Sequence, residues 1–310
     1  MIEPEHLATL AAVRRTGSVG GAAAELGYTP SAVSQQVKRL ERRVGGAVLE
    51  RVGRGVMLTE LGRHLADEGG DILERLERLE SGLGRVTGGP VVGGVRLVAF
   101  STAVRGLLAP ALRSLATDEP DLTVTLVERD PHEAIDLVAS GGADAALVHN
   151  WGDLPLPFPE HLEVVGLGVD TADVLVHRDH RLAGAASTTA AELVDDAWVC
   201  APEGSVCHGW LSHMFDLHGA RPRIRHWSWE FASHVGLVAE GVCVSLVPRL
   251  GREQLPASVV AVPLTDPVPT RRVMMTWRRS MAPSPAIARV RAALVDVAGQ
   301  RLSTGPTASP

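Results

Sequence analysis

The chain has 310 residues, of which 45% are hydrophobic and 21% charged, and its formal net charge is −6. This length usually gives two domains, and this apolar content can build a sizeable core. No apolar run approaches the roughly 18 residues of a membrane-spanning helix. The start MIEPEHLATL also lacks the basic and apolar segments of a secretion signal. We therefore expect a cytoplasmic protein without a membrane partner.

Residues 18–44 predict two helices joined by a tight turn. Ser18 is a favourable N-cap for a short helix that ends at Gly27, and its small residues would let another helix pack closely. Thr29 is the expected N-cap of the next helix, with Pro30 at the first helical position. The second helix has one apolar stripe, formed by Val33, Val37, Leu40 and Val44.

The opposite face of the second helix carries polar and basic side chains. In a helix-turn-helix protein, the N-terminal part of this helix points into the major groove, where hydroxyl and amide groups read base edges. The predicted base contacts are Ser31, Ser34 and Gln35. Lys38 and Arg42 are predicted to contact phosphates, and Arg39 can take either role. The capping residues Ser18 and Thr29 are included among the DNA contacts.

Residues 48–59, VLERVGRGVMLT, predict a hairpin with a basic tip. Arg51 and Arg54 are placed to reach the DNA backbone or the minor groove, whose negative potential favours Arg. Residues 28–63 have a net charge of +4, which leaves −10 for the rest of the chain. Each element alone is also typical of a solvated helix or an ordinary turn. Their order favours a DNA-binding module.

A long amphipathic helix is predicted from the N-cap Thr59 to Val86. Its apolar positions have heptad-like spacing and are Leu65, Ile72, Leu76, Leu79, Leu83 and Val86. A helix of this length spans about 40 Å and finds no partner in so small a domain. It therefore predicts a dimer formed through residues 59–86, with packing against the same chain as the alternative. Two paired recognition helices would read two half-sites of an imperfect palindrome.

The pattern changes after TGGPVVGG, residues 87–94, which reads as a hinge linker. Strand-like and helical segments then alternate, and a last helix is expected at residues 284–298. The strand-like segments include RLVAF, TVTLVE, ADAALVH, AWVC, VVAVPL and RRVMMTW. This alternation predicts an α/β domain with a mainly parallel sheet, arranged as two subdomains with a cleft.

The run SAVSQQVKRLE, followed by a Gly-containing turn, the basic hairpin and LTELG, closely resembles the N-terminal signature of LysR-type transcriptional regulators. The resemblance covers residues 3–88. Gly20, Gly21 and Glu50 depart from the family pattern without removing a predicted DNA contact. The resemblance implies an all-α winged helix-turn-helix domain and an effector domain of two α/β subdomains like those of type 2 periplasmic binding proteins. GVCVSLVP, residues 241–248, is similar to the Gly-rich turn and strand of that domain.

The expected domain boundaries follow from these segments and the resemblance. The N-terminal part comprises a winged helix-turn-helix at 1–58, a dimerisation helix at 59–87 and a hinge at 88–94. The effector domain comprises subdomain I at 95–165 and 265–300, and subdomain II at 166–264. Two crossover strands would join the subdomains, and residues 301–310 would form a flexible tail.

An effector would lie where strands end and helices begin, because free backbone N–H groups there attract polar ligand groups. Ten candidates have such positions, although a cap or loop role is the alternative for each. They are Ser101, Thr102, Ala103, Asn150, Trp151, Ala201, Gly204, Ser205, Trp229 and Ser245. If two or more of Trp151, Trp210, Trp227 and Trp229 line the cleft, they favour a flat or aromatic effector, but core packing is the more common role.

Three cysteines, Cys200, Cys207 and Cys243, are too few for a disulfide framework and fit a reducing compartment. Cys207 lies near where peroxide-sensing relatives carry a reactive thiol, so a redox-responsive regulator is an alternative function. No second Cys occurs in the ten residues after it. The spacing of five between His208, His213 and His218 does not stack them on one helix face, so we predict no metal site. We predict no cofactor, because a Gly-rich phosphate loop is missing.

The sequence favours a transcription factor that binds specific DNA and responds to a small-molecule effector in the C-terminal cleft. An α/β enzyme would leave the helix-turn-helix unexplained and lacks a visible acid, base or nucleophile set. A solute-binding transport protein would need a secretion signal. As a hypothesis, effector binding changes closure of the cleft, and the hinge passes this change to the paired DNA modules. The resemblance further implies a tetramer and an interrupted palindrome as the DNA site, and RNA polymerase is a further partner consistent with this role.

Overall fold

The computed structural model describes residues 2–53, 55–87, 91 and 93–303. These divide into two compact units, the first holding the residues up to 87 and the second most of the residues from 93 on. Arg54, residues 88–90 and 92 of the predicted hinge, and residues 304–310 of the predicted tail lie outside the described residues. Within the described ranges, no helix is both long and apolar enough to cross a membrane.

The first unit has the predicted order of helices and hairpin, preceded by one further helix. Its elements are α1 (Pro4–Thr16), α2 (Val19–Leu26), α3 (Pro30–Val44), β1 (Leu49–Val52), β2 (Gly55–Leu58) and α4 (Glu60–Thr87). The caps predicted for α2 and α3 are confirmed, because Ser18 Oγ accepts from the Gly21 N–H at 3.0 Å and Thr29 Oγ1 accepts from the Ala32 N–H at 3.2 Å. The caps fix where α2 and α3 begin.

The apolar stripe of α3 packs against α1 and α2. Val37 and Leu40 are buried with Leu10 of α1, and Val33 is buried with Ala22 and Ala23 of α2. The small side chains of α2 permit this close packing, as the sequence predicts. The hairpin is held to the end of α1, because the Val56 N–H donates to the Gly17 carbonyl at 3.0 Å. The polar face of α3 is thereby left in solvent.

The start of α4 lies directly against the chain that leads into the hairpin. Thr59 caps the helix, since its Oγ1 accepts from the Gly62 N–H at 3.0 Å. A Cβ added at Gly62 would overlap the Val48 carbonyl oxygen. This close approach leaves no room for a side chain at Gly62, the third residue of α4.

The second unit contains the α/β elements. Its strands are β3 (Gly93–Ala99), β4 (Leu122–Glu128), β5 (Ala145–His149), β6 (Leu162–His177), β7 (Thr188–Thr189), β8 (Ala197–Cys200), β9 (Arg223–Trp227), β10 (Ser245–Pro248), β11 (Val259–Asp266) and β12 (Thr270–Arg278). Its α-helices are α5 (Ser101–Ala103), α6 (Ala109–Asp118), α7 (Pro131–Ala139), α8 (Val206–Asp216), α9 (Phe231–Ala239) and α10 (Pro285–Arg301), with a π-helical turn (Val104–Leu108) between α5 and α6.

The large sheet is mixed. Its order is β4-β3-β5-β12-β6-β11-β7, and β10 also pairs with β6. β3 runs parallel to β4 and β5, whereas β12 runs antiparallel to both β5 and β6, and β6 runs antiparallel to β10 and β11. The prediction of a mainly parallel sheet is therefore wrong. Helices connect β3 to β4 and β4 to β5, as in a parallel sheet. The long strands β6 and β12, however, pair with their neighbours in the antiparallel direction.

Strand β6 belongs to both subdomains. Residues up to Thr171 pair with β12, and residues from Ala172 on pair with β10 or β11. The pairing partner of β6 thus changes after Thr171, later in the chain than the expected boundary at 165. The first residues of the expected tail differ from the prediction, since Ser303 forms a bridge with Val169. Residues 301–303 are therefore ordered.

Replacing Gly62 by Ala is expected to destabilise the protein. Alanine improves helix propensity by about 1 kcal/mol, but overlap with the backbone oxygen of Val48 costs more, about 1–3 kcal/mol or above. Gly20→Ala is the matched control, because its added Cβ meets open space in helix α2. Urea unfolding followed by circular dichroism should show a lower midpoint for Gly62→Ala and an unchanged or higher one for Gly20→Ala. Equal gains for both would contradict the packing described here.

Candidate DNA interface and effector cavity

The predicted base-reading and phosphate residues lie on one accessible face of α3. Of these, Ser34 is half-buried and the others are exposed: Ser31, Gln35, Lys38, Arg39 and Arg42. Gln36, the neighbour of Gln35, instead turns inward and is hydrogen-bonded to Thr9 of α1. Arg51 is exposed on β1, and Arg54 lies outside the described residues. The face therefore combines short polar side chains at its N-terminal end with cations further along.

The two capping residues have a structural role that the sequence also predicts. Thr29 is exposed and Ser18 is half-buried, and each hydroxyl accepts a backbone hydrogen bond. Thr29 Oγ1 also lies 2.9 Å from Ser31 Oγ. A hydroxyl that accepts a cap bond keeps its own hydrogen, so both residues can still donate to a phosphate.

A cavity of about 360 Å³ lies between the two subdomains of the second unit, and we call it the cleft cavity. Subdomain I contributes Phe100, Ser101, Glu128, Arg129, Asp130, Pro131, Glu133, His149 and Arg271. Subdomain II contributes Ala201, Cys207, Trp229 and Phe231. Three of the ten predicted effector contacts, Ser101, Ala201 and Trp229, therefore meet in one cavity.

The other predicted effector contacts have different positions. Trp151 lines an inner pocket of about 20 Å³, together with Trp210, Cys207 and Ala201, and the last two also line the cleft cavity. Three further candidates, Asn150, Gly204 and Ser205, line a separate cavity of about 200 Å³.

The remaining three predicted contacts are buried by the protein itself. Thr102 is 1% exposed, and Ala103 and Ser245 are 0% exposed. Thr102 Oγ1 accepts a hydrogen bond from Arg271, and Ser245 Oγ lies 2.8 Å from His234 Nδ1. Neither Ala103 nor Ser245 lines the cleft cavity.

Arg271 is a central residue of the cavity that the sequence interpretation missed. Its side chain is 1% exposed, and Nε donates to Asp170 Oδ2 at 2.9 Å while Nη2 donates to Thr102 Oγ1 at 2.7 Å. The guanidinium carbon lies 5.1 Å from the ring centre of Phe100 and 5.3 Å from that of Trp151. The alternation in β12 was an available signal, because it places Arg271 on the same face as buried Val273 and Met275.

His149 lies beside Arg271 on the floor of the cavity. Its ring packs edge-on against Phe100 at 4.4 Å and against Trp151 at 5.9 Å. Burial, and then the nearby charge of Arg271, hold the pKa of His149 well below its ordinary value. The ring is therefore neutral at physiological pH, so it presents one donor and one acceptor nitrogen.

The rim of the cavity is acidic. Glu128 and Glu133 are exposed, and Glu133 pairs with Arg129 at 3.4 Å. Asp130 Oδ1 accepts from the His132 N–H at 3.1 Å, and Oδ2 accepts from the Val206 N–H at 3.4 Å. The second bond crosses the cleft to the start of α8. Three carboxylates thus face one cation at the mouth.

Cys207 lines both the cleft cavity and the inner pocket, where Cys200 also lies. Burial raises the pKa of the Cys207 thiol, although Arg271 acts in the opposite direction. The Trp151 indole N–H also acts to lower this pKa, but it lacks a hydrogen bond of normal geometry. A thiol with a raised pKa holds little thiolate at neutral pH and reacts slowly, which disfavours redox sensing at Cys207.

The histidines do not gather into a metal site in the part of the chain that the structure describes. No group of three or more His, Cys, Asp or Glu side chains there has an arrangement that could hold a metal ion. His208 instead lies against the Trp227 ring, and His213 against the Trp210 ring.

The two units together define a DNA-binding regulator with a ligand-binding domain, and comparison with known proteins gives its family. The model of the bacterial regulatory helix-turn-helix protein, lysR family, matches residues 4–63, and the model of the LysR substrate binding domain matches residues 88–299. The chain belongs to the LysR family. It is a transcriptional regulator with an effector-binding domain, and its family is not one of enzymes.

Individual relatives agree with this assignment. The chain is 26% identical over 304 residues to YnfL, an uncharacterised HTH-type transcriptional regulator of Escherichia coli (strain K12), with 95% of this chain and 98% of that protein covered. A full-length OxyR variant from Pseudomonas aeruginosa superposes with a TM-score of 0.67 at 22% identity, over 98% of this chain and 99% of that one. Full-length CbnR complexed with its target DNA gives a TM-score of 0.56 at 21% identity, over 95% and 99% of the two chains. These two structures share the fold.

All three cysteines are expected to react slowly with a thiol reagent in the native protein. Burial raises the pKa of Cys243 to about 11 and also raises the pKa of Cys200 and Cys207. Each unit of increase lowers the thiolate fraction about tenfold at neutral pH. Labelling at pH 7.5 should be slow in buffer and fast in urea, and it should accelerate as pH rises. Labelling of one thiol in buffer as fast as free cysteine would contradict this expectation. The Cys207→Ser variant then shows whether Cys207 is the thiol that reacts.

Proposed function

We propose that this regulator acts in the cytoplasm as a homodimer, or as a tetramer of two dimers, and reads an interrupted palindrome in double-stranded DNA. The observation that carries this proposal is the face of α3, on which Ser31, Ser34 and Gln35 are accessible while the opposite stripe is buried. Hydroxyl and amide groups at the start of a capped helix match the major groove. CbnR, which shares the fold, has been seen bound to its target DNA.

Helix α4 supports pairing of two copies. It has 28 residues, and Ile72 and Leu79 on its predicted apolar stripe are 48% and 63% exposed. Leu65 and Leu76 of the stripe are half-buried, and the side chains of Leu83 and Val86 lie outside the described residues. Large apolar side chains left in water at heptad-like spacing favour a second helix as their partner. A dimer then presents two recognition helices to two half-sites.

The cleft cavity is the proposed effector site. It draws on both subdomains, and the buried Arg271 and His149 form its floor. A ligand there contacts both walls and so changes the relative stability of open and closed arrangements of the cleft, provided that it binds one of them better. Residues 88–94 are proposed as the segment that transmits this change to the DNA-binding domain.

The double variant Ser34→Ala with Gln35→Ala is expected to lose sequence-specific DNA binding. Loss of two base contacts worth about 1–3 kcal/mol each lowers specific affinity by roughly thirtyfold or more. Footprinting of DNA upstream of the regulator's own gene, at two salt concentrations, measures both specific and general binding. Lys38→Ala is the matched comparison and should weaken all DNA equally while reducing the salt slope by about one. An unchanged footprint for the double variant would show that another face reads the bases.

Lysine at position 72 or 79 is expected to disrupt the dimer. A charge inside an apolar helix seam is costly to desolvate, so Ile72→Lys and Leu79→Lys should shift sedimentation toward monomer at micromolar concentration. Gly70→Lys is the control, because Gly70 is exposed on the opposite side of α4 with open space around its Cβ position. If all three variants sediment as the parent protein does, α4 is not the dimer interface.

A further inference from the structure

The floor of the cleft cavity contains polar atoms that make no hydrogen bond to the described residues. His149 is 2% exposed, and its Nδ1 makes no hydrogen bond. Arg271 is 1% exposed; its Nε and Nη2 are bonded to Asp170 and Thr102, and Nη1 finds no acceptor among the described residues. Buried polar groups in native proteins are almost always paired. These two side chains therefore point to a ligand that supplies hydrogen-bond acceptors at the floor.

The charge of Arg271 decides what kind of acceptor fits best. Arg remains protonated in proteins and only donates, and hydrogen bonds between ionised partners are the stronger ones. Asp170 neutralises the guanidinium from its far side, through Nε and Nη2. Nη1 makes no hydrogen bond to the described residues, so it remains a donor that a carboxylate oxygen can satisfy. In the tautomer that carries its hydrogen on the unpaired Nδ1, neutral His149 adds a donor without adding charge.

The rim sets a limit on the total charge of the ligand. Glu128, Asp130 and Glu133 face a single cation, Arg129, at the mouth. A second anionic group placed at the mouth would be repelled by these carboxylates. The arrangement therefore discriminates between a monocarboxylate, whose charge stays at the floor, and a dicarboxylate of similar length.

The walls between floor and rim are aromatic. Phe100 is 7% exposed on one side, Phe231 lies on the other, and Trp229 is 56% exposed at the mouth. Trp229 has no ring partner among the described residues, and aromatic rings pair favourably with one another. A cavity of about 360 Å³ with such walls suits a ligand body of one ring.

We propose that the effector is a small aromatic monocarboxylic acid, with its carboxylate at Arg271 Nη1 and His149 and its ring between Phe100, Phe231 and Trp229. This inference rests on the proposed function, because it takes the cleft cavity as the effector site. It adds the chemical class of the ligand and the residues that discriminate it from related molecules.

Four probes of matched size test the proposal on the full-length protein: phenylacetate, phenylacetamide, 2-phenylethylamine and 1,4-phenylenediacetate. Calorimetry and tryptophan fluorescence should show saturable binding of phenylacetate, with the other three at least tenfold weaker. The proposal is overturned if phenylacetate does not saturate at millimolar concentration, or if the amide, the amine or the dicarboxylate binds as tightly. The DNA footprint is read separately. Phenylacetate that binds in the cleft without altering the footprint contradicts the proposed function but leaves the ligand class standing.

Variants of the rim give a test that misfolding cannot imitate. Glu128→Gln with Glu133→Gln removes two exposed carboxylates, so affinity for 1,4-phenylenediacetate should rise roughly three- to fivefold while that for phenylacetate stays within twofold. Glu203→Gln is the control, since Glu203 is exposed and does not line the cavity. At the floor, Arg271→Gln with Asp170→Asn keeps the pair neutral and should lower phenylacetate affinity at least tenfold. An unchanged ranking of the two acids in the rim variant, or unchanged affinity in the floor variant, overturns the proposal.

Discussion

The effector domain depends on one buried ion pair, between Asp170 of β6 and Arg271 of β12. Both side chains are almost fully buried, and the pair joins β12 to β6, the strand that the two subdomains share. Asp170 Oδ1 also accepts from the Leu250 N–H at 3.0 Å, and Arg271 reaches Thr102 at the start of α5. Removing one partner of such a pair typically costs about 3–5 kcal/mol, because the other charge remains buried. The pair therefore holds the shared strand β6 and the floor of the cleft cavity together.

A second cluster of ion pairs lies on the same strand, β6, three residues further along the chain. Asp173 accepts from Arg249 at 2.6 and 2.9 Å and from Arg252 at 2.8 Å. Burial acts to raise the pKa of Asp173, but the hydrogen bonds from these two arginines outweigh it and lower the pKa. The carboxylate thus stays ionised at physiological pH. Subdomain II is held to β6 by this cluster and by the pairing of β10 and β11, while the cavity keeps the less satisfied groups.

The sequence predicted the DNA-binding module better than it predicted the cleft. In α3 the cap at Thr29, the stripe through Val33 and the outward face are all local features, fixed by residues a few positions apart. Arg271 and His149 are 122 positions apart along the chain, and only the pairing of β5 with β12 brings their strands together. Alternation in β12 marks Arg271 as inward-facing, but no local pattern gives its partner Asp170. The choice of strand ends as ligand positions included Ser101, Ala201 and Trp229 of the cavity lining and left out Arg271 and His149 of the floor.

The position of β12 in the sheet has a consequence for how the protein is made. β12 lies between β5 and β6, although it follows both in the chain by about a hundred residues or more. The sheet of subdomain I cannot be completed until residue 278 has been synthesised, because β12 occupies the position between β5 and β6. At roughly 5–20 residues per second, domains form on the growing chain from its N-terminus. The helix-turn-helix and hairpin have two core clusters built from residues 10–66 alone. They can therefore fold many seconds before the domain that binds the effector is complete.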